Sequence, residues 1–110
     1  MRGLTNTSGE VQTASHAPAA TTAAVVTIAA IAGEFRTLLG LVYSYDTASV
    51  DLKTITIVSG ATTHTIRIRN DAGPFPIVFP NAIRGEVGAT LVITLAAPTG
   101  GSGSLLVQYQ

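Results

Sequence analysis

Residues 52–69 read LKTITIVSGATTHTIRIR and carry the clearest secondary-structure signal in the 110-residue chain. Isoleucines alternate with threonines over residues 54–57 and with arginines over residues 66–69. A two-residue period of this kind is typical of β-strands that bury one face. Between the two halves lies the sequence Ser59-Gly60-Ala61, which favours a turn. The stretch therefore predicts an antiparallel β-hairpin.

Similar runs of β-branched and aliphatic residues lie on both sides of this hairpin, separated by residues that favour turns. They span residues 25–28, 35–45, 77–79, 90–95 and 105–109. Pro74, Pro76 and Pro80 surround the third of these runs, so we expect it to form an edge strand or a bulge, where a missing N–H is tolerated. We predict an all-β protein: an antiparallel, jelly-roll-like β-sandwich of seven short strands, or eight if residues 83–87 pair, with no significant helix.

The length of 110 residues fits a single domain. Residues 1–22 contain few large aliphatic side chains and follow no regular period, so we predict a flexible or extended N-terminal arm, followed by a β-sandwich domain over residues 23–110. The apolar stretch over residues 23–32 is too short to cross a bilayer as a helix. In the polar segment before it only Arg2 is basic, so we do not expect a signal peptide.

The chain carries few charges and no net charge. Charged residues make up 11% of the sequence, and six basic residues balance six acidic ones. This balance argues against nucleic acid and against a membrane surface as partners, because both are bound mainly through clustered Lys and Arg. The mean hydropathy of +0.44 indicates a surface rich in uncharged side chains. We expect copies of the same chain, or a larger assembly, to cover that surface.

The side chains that catalysis would need form no recognisable pattern. There is no cysteine, no nucleophile-elbow pattern surrounds any Ser or Thr, and His16 and His64 lack the ligand spacing that a metal site on a strand requires. The acidic residues are Glu10, Glu34, Asp46, Asp51, Asp71 and Glu86. They all lie in predicted loops or at strand ends, where Asp favours turns. We predict that the protein is not an enzyme and uses no metal or other cofactor.

Two groups of residues are candidates for an interface. The run over residues 38–45 has apolar side chains on both faces of the predicted strand, which indicates that both faces are covered. Arg67 and Arg69 form the only basic pair on one strand face, where they make cross-strand charge pairs beside Lys53 and Asp51 or contact an acidic partner. The candidate interface residues are Leu38, Val42, Tyr43, Tyr45, Arg67 and Arg69.

Several segments resemble small virion structural proteins of tailed bacteriophages. They are HAPAA (residues 16–20), AVVTIAA (24–30), LVYSY (41–45), DAGPF (71–75), IRG (83–85) and ATLVITLAA (89–97). The resemblance implies a capsid decoration, or cement, protein that self-associates, with a trimer favoured, and binds the major capsid protein. Such a protein is expected at the capsid surface after assembly in the host cytoplasm. A carbohydrate- or receptor-binding module of a phage fibre or tail is the alternative.

Overall fold

The computed structural model describes residues 11–47, 52–69 and 73–110. Within these residues the chain forms eight β-strands and no helix, so none of the described segments is a helix that could cross a membrane. The strands are β1 (Gln12–His16), β2 (Ala24–Ile28), β3 (Thr37–Tyr45), β4 (Leu52–Ser59), β5 (Thr62–Arg69), β6 (Gly73–Arg84), β7 (Leu91–Leu95) and β8 (Gly103–Tyr109). The prediction of an all-β chain with seven or eight strands is confirmed.

The strands form two antiparallel four-stranded sheets that pack as a β-sandwich. The first sheet has the order β1-β8-β3-β6, and the second has the order β2-β7-β4-β5. Strand β4 pairs with β5, β3 with β6, β2 with β7 and β1 with β8. The chain is therefore one long hairpin with β4 and β5 at its tip, rolled so that successive strand pairs alternate between the sheets. This topology is that of a jelly roll, as predicted.

The β4–β5 hairpin forms as the sequence predicts. Ser59 lies opposite Thr62, which leaves Gly60 and Ala61 as a two-residue turn. Gly60 has a φ of 59°, the left-handed conformation that a type II′ turn requires at its first position and that glycine adopts without strain. A side chain at this position would also collide with the carboxylate of Glu86.

The core lies between the two sheets. Residues alternate between buried and exposed positions along the strands, most regularly in β2 and β7. The largest fully buried side chains are Leu38, Tyr45, Ile55, Ile57, Leu91, Ile93, Leu95, Leu105 and Val107. Burial of these side chains is the main favourable term for folding, and it fixes which face of each strand points outward.

The segment predicted as an N-terminal arm contains a strand of the sandwich. Gln12–His16 form β1 at the edge of the first sheet, and the Tyr109 hydroxyl donates a hydrogen bond to Gln12 Oε1 at 3.1 Å. The predicted boundary at residue 23 is therefore corrected, because the sandwich includes β1. The eighth strand is β1, and residue 83 belongs to β6. Residues 1–10 of the predicted arm lie outside the described part of the chain.

Candidate interaction surface

A β-bulge in β3 determines which of its side chains enter the core. The register of β3 against both of its neighbours shifts between Leu38 and Gly40. An extra residue at this point moves Leu38 to the same side as Leu41 and Tyr43, and all three are buried. The prediction placed Leu38 on the opposite face because it assumed an uninterrupted two-residue period. Leu38 is a core residue, and its assignment to an interface is corrected.

Tyr43 and Tyr45 are also core residues rather than interface residues. Tyr45 is 1% exposed, and its hydroxyl donates a hydrogen bond to the Ala96 carbonyl oxygen at 2.8 Å. Burial, with a smaller contribution from Tyr43, raises the pKa of Tyr45 to about 12. The Tyr43 ring packs against Phe75 at a centroid distance of 5.4 Å. Both rings stabilise the interior, so neither can contact a partner without unfolding.

Val42 lies on the outer face of the first sheet, the side that points away from the core. The register places Ser15, Leu106, Val42 and Pro76 side by side across the four strands of this sheet. Leu106 is 37% exposed, and Val78, two residues beyond Pro76 on the same side of β6, is 77% exposed. Apolar side chains of β8, β3 and β6 therefore form a strip on the outer face. Val42 is at the centre of this strip, where an interface residue would have to lie.

The outer face of the first sheet is almost free of charge. Arg84 is the only Asp, Glu, Lys or Arg in the four strands of this sheet. It lies at the end of β6, and its guanidinium stacks over the Phe35 ring at 4.6 Å. A partner that covers the rest of this face would therefore desolvate hydroxyl groups and apolar side chains but no charge. Burial of the apolar side chains is favourable, and the hydroxyl groups cost little where the partner offers them hydrogen bonds.

A shallow groove of about 340 Å³ lies at one end of the same face. Its lining residues are Ser15, His16, Ala17, Val42, Ser44, Pro74, Ser104, Leu105 and Leu106. Serine hydroxyls supply most of its polar side-chain groups, and none of its lining residues is Phe, Tyr or Trp. A stacking platform for sugar rings is therefore missing from this groove.

The outer face of the second sheet carries mainly threonine and valine side chains. Its central rows consist of threonines and valines, such as Val25, Thr94, Thr56 and Thr65, which lie side by side across the four strands. Uncharged β-branched side chains of this kind make a flat and weakly polar surface.

Arg67 and Arg69 are exposed on the edge strand β5 of the second sheet. Arg67 lies opposite Thr54. Lys53 points to the other face, where its Nζ donates a hydrogen bond to Thr99 Oγ1 at 3.2 Å. Lys53 therefore does not share a face with the two arginines, and Asp51, the acidic residue of the predicted cross-strand pairs, lies outside the described residues, so that pairing stays a prediction.

The side chains of His16 and Glu86 are held by hydrogen bonds that stabilise the fold. His16 Nδ1 accepts a hydrogen bond from the Val25 backbone N–H at 3.0 Å, which links the edge of the first sheet to the edge of the second. Glu86 Oε2 accepts from the Ala61 N–H at 3.1 Å and from the Thr62 hydroxyl at 2.7 Å, which fixes the β4–β5 turn. Among the described residues no three His, Asp or Glu side chains lie close enough to hold a metal ion.

Sequence patterns could not have located the groove or the link through His16. The groove combines residues of four strands with a loop residue, and the partner of His16 is a backbone N–H, which any residue except proline offers. Comparison with known proteins adds no further guide: no family model matches the chain, and neither a curated protein nor a solved structure matches it.

Proposed function

We propose that this chain is a bacteriophage virion structural protein, a capsid decoration protein that self-associates and binds the major capsid lattice. The observation that carries the proposal is the uncharged apolar strip on the outer face of the first sheet. The strip is built from exposed or half-exposed side chains of β3, β6 and β8, chiefly Val42, Pro76, Val78 and Leu106. The sequence segments that we interpret as resembling virion structural proteins of tailed phages are the other argument for it.

An apolar face without charges suits attachment to a protein shell. Complete burial of an aliphatic side chain such as Val78 contributes about 1.5–3 kcal/mol, and no charge must be desolvated in return. Each copy then makes only a modest contact. Copies that are linked to one another on a regular lattice bind much more tightly than single copies, because attachment of one raises the effective concentration of the next.

Jelly rolls occur both in virus shells and in carbohydrate-binding domains, so the fold alone does not separate these functions. The surface is more informative. The strip consists of aliphatic side chains and proline, whereas a carbohydrate site would be expected to offer an aromatic ring for stacking. A protein surface is therefore the partner that fits the outer face of the first sheet best.

The first experiment is quantitative mass spectrometry of purified virions that encode this chain. The proposal predicts a copy number comparable with that of the major capsid protein. Absence from the particle, or only a few copies, would contradict it.

A second experiment tests the face itself. Capsids that lack the protein are incubated with purified variants, and bound protein is measured after sedimentation. Val78→Lys should weaken binding at least about tenfold, since it replaces an exposed apolar side chain of the strip with a charge. Thr27→Lys places the same charge at an exposed position on the outer face of the second sheet and is the matched control. Equal binding of the two variants would refute the assignment of the face.

A carbohydrate- or receptor-binding module of a phage fibre or tail is the second candidate. The groove with Ser15, Ser44 and Ser104 favours it, because hydroxyl groups around a concave site can bind polar ligands. A glycan array probed with the purified chain tests it. Specific glycan binding that Ser44→Val abolishes, together with a low copy number per virion, would favour this candidate over a decoration protein.

A further inference from the structure

The four edge strands of the sandwich differ in their ability to accept another strand. In the first sheet, the edge strand β6 contains Pro74, Pro76 and Pro80. Proline has no N–H, so these residues offer no hydrogen-bond donor to a neighbouring strand. Pro74 and Pro76 lie opposite Ser44 and Val42 of β3, at positions where the missing N–H faces the open edge. The edge of β6 is therefore blocked to strand pairing.

The edges formed by β1 and β2 are short and lie next to each other. Each of these strands has five residues. At the edge of β2, the backbone N–H of Val25 is already occupied by His16 Nδ1 at 3.0 Å. A strand added at this side would have to displace that link.

The edge of β5 is the open one. This strand has eight residues, Thr62–Arg69, and contains no proline. Because Ser59 and Thr62 close a two-residue turn, they form a hydrogen-bonded pair, and every second residue of β5 after Thr62 turns its N–H and C=O away from β4. Thr63, Thr65 and Arg67 are therefore oriented to pair with a further strand. No other strand of the described chain lies on that side of β5.

Apolar side chains are incompletely covered at the same side of the sandwich. The two sheets approach each other most closely at β1 and β2. At the opposite side, where β5 and β6 are the edges, Ile66, Phe75, Ile77 and Phe79 point toward the core but are only partly buried. A second molecule that pairs with β5 would also cover this half-exposed apolar seam.

We propose that β5 pairs in antiparallel orientation with β5 of a second copy, about a twofold axis at Ile66. This inference rests on the self-association in the proposed function and specifies its surface. With the axis at Ile66, Thr65 lies opposite Arg67 of the second copy, and residues 63–69 of the two strands are matched. The two second sheets join into one continuous eight-stranded sheet.

The charges of β5 select this register. A shift by two residues in one direction places Arg67 opposite Arg67 of the second copy, and like charges directly opposite each other are destabilising. A shift in the other direction places Thr65 opposite Thr65 and Arg69 opposite Ala61 of the turn, outside β5. Of the three registers, only the one about Ile66 places both Arg67 and Arg69 opposite a threonine of the second β5 strand.

The twofold contact joins copies in pairs. If the protein forms the trimer that we predict, this contact links neighbouring trimers rather than the subunits within one. An antiparallel β5 pair cannot relate three subunits around a single threefold axis, because the contact uses the same edge of both molecules.

Cysteine crosslinking tests the register directly, since the chain contains no cysteine. In the proposed pair Ile66 faces Ile66 of the second copy at a non-hydrogen-bonded position, where Cα atoms are about 4.5 Å apart, within the range for a disulfide. At ~10 μM protein, Ile66→Cys should form a covalent dimer ~100-fold faster than unassociated chains, because the effective concentration in the pair is about 1 mM. Thr63→Cys is the matched control: it is exposed on the same strand but faces position 69 of the second copy.

A second pair of variants tests the same contact in case Ile66→Cys does not fold. His64 faces Ile68 of the second copy, so a mixture of His64→Cys and Ile68→Cys proteins should form the mixed disulfide, while each variant alone should not. Circular dichroism confirms that each variant is folded. If folded Ile66→Cys crosslinks no faster than Thr63→Cys, and the mixture forms no mixed disulfide, the β5 contact is refuted.

Crosslinking and light scattering together show whether the β5 contact fails alone or the proposed function fails with it. Light scattering of the unmodified chain reports self-association regardless of the surface used. Oligomers without the predicted crosslinks would refute the β5 contact and leave the decoration function standing. A monomer at all concentrations, with no copies on the virion, would refute both.

Discussion

Replacement of Tyr45 by Phe removes a single buried hydroxyl and tests the environment that the fold creates around it. The side chain is 1% exposed, and its hydroxyl donates to the Ala96 carbonyl oxygen at 2.8 Å. Phe fills nearly the same volume, so the main loss is this hydrogen bond. Loss of a partner by a buried polar group costs about 1–3 kcal/mol. We expect Tyr45→Phe to lower the free energy of unfolding at pH 8 by about 1–2 kcal/mol.

The same variant should behave differently at alkaline pH. Burial raises the pKa of Tyr45 to about 12 in the folded chain, from the ordinary tyrosine value of 10.0. As the pH rises above 10, the unfolded chain releases the phenol proton while the folded chain keeps it, so stability that is fully present below pH 10 is lost. Each unit of pKa difference corresponds to about 1.4 kcal/mol, so the loss reaches about 2–3 kcal/mol near pH 12.

Urea unfolding of both proteins between pH 8 and pH 12, followed by circular dichroism, measures this effect. The difference between the two proteins isolates Tyr45, because every other titrating group is common to both. The free energy of unfolding of the unmodified protein should exceed that of Tyr45→Phe at pH 8. This difference should shrink as the pH rises and vanish near pH 12. Two parallel curves over the whole range would refute the burial of a protonated Tyr45 hydroxyl.

Three further predictions concern stability. Ile93→Ala should lower the free energy of unfolding by about 2–5 kcal/mol because Ile93 is fully buried, whereas Thr94→Ala, on the outer face, should change it by under about 1 kcal/mol; urea melts compare the two. His16→Ala should cost about 1 kcal/mol and accelerate amide exchange at Val25, whose N–H loses its acceptor; unchanged exchange would contradict the hydrogen bond. Deletion of residues 1–16 removes β1, so it should lower the melting temperature and expose the edge of β8; a truncated chain as stable as the full one would show that β1 is dispensable.

Much of the fold could be predicted because most strands have one buried face. In β2, β4 and β7 apolar side chains repeat every two residues, and the predicted runs agree with the strands to within one residue. In β5 apolar side chains alternate only over residues 66–69, because His64 and the threonines before it are polar on both faces. These residues pair through backbone atoms alone, which leave no mark in the side-chain pattern.

Three features escaped prediction for separate physical reasons. The five residues of β1 are polar or small, since this edge strand buries only part of one face, and their pairing depends on β8 at the other end of the chain. The bulge between Leu38 and Gly40 reverses the side on which Leu38 lies, and a two-residue period has no means of showing an inserted residue. The apolar strip arises from side chains of different strands, so it required the strand order.

The orientation of the chain on the virion tests the central claim most directly. Electron cryo-microscopy of the particle would show whether the molecule is present on the shell and which sheet faces it. We predict density for the jelly roll on the outside of the capsid, with the strip around Val42 and Val78 pressed against the major capsid protein. Density in which this strip faces solvent, or a shell without the molecule, would contradict the account.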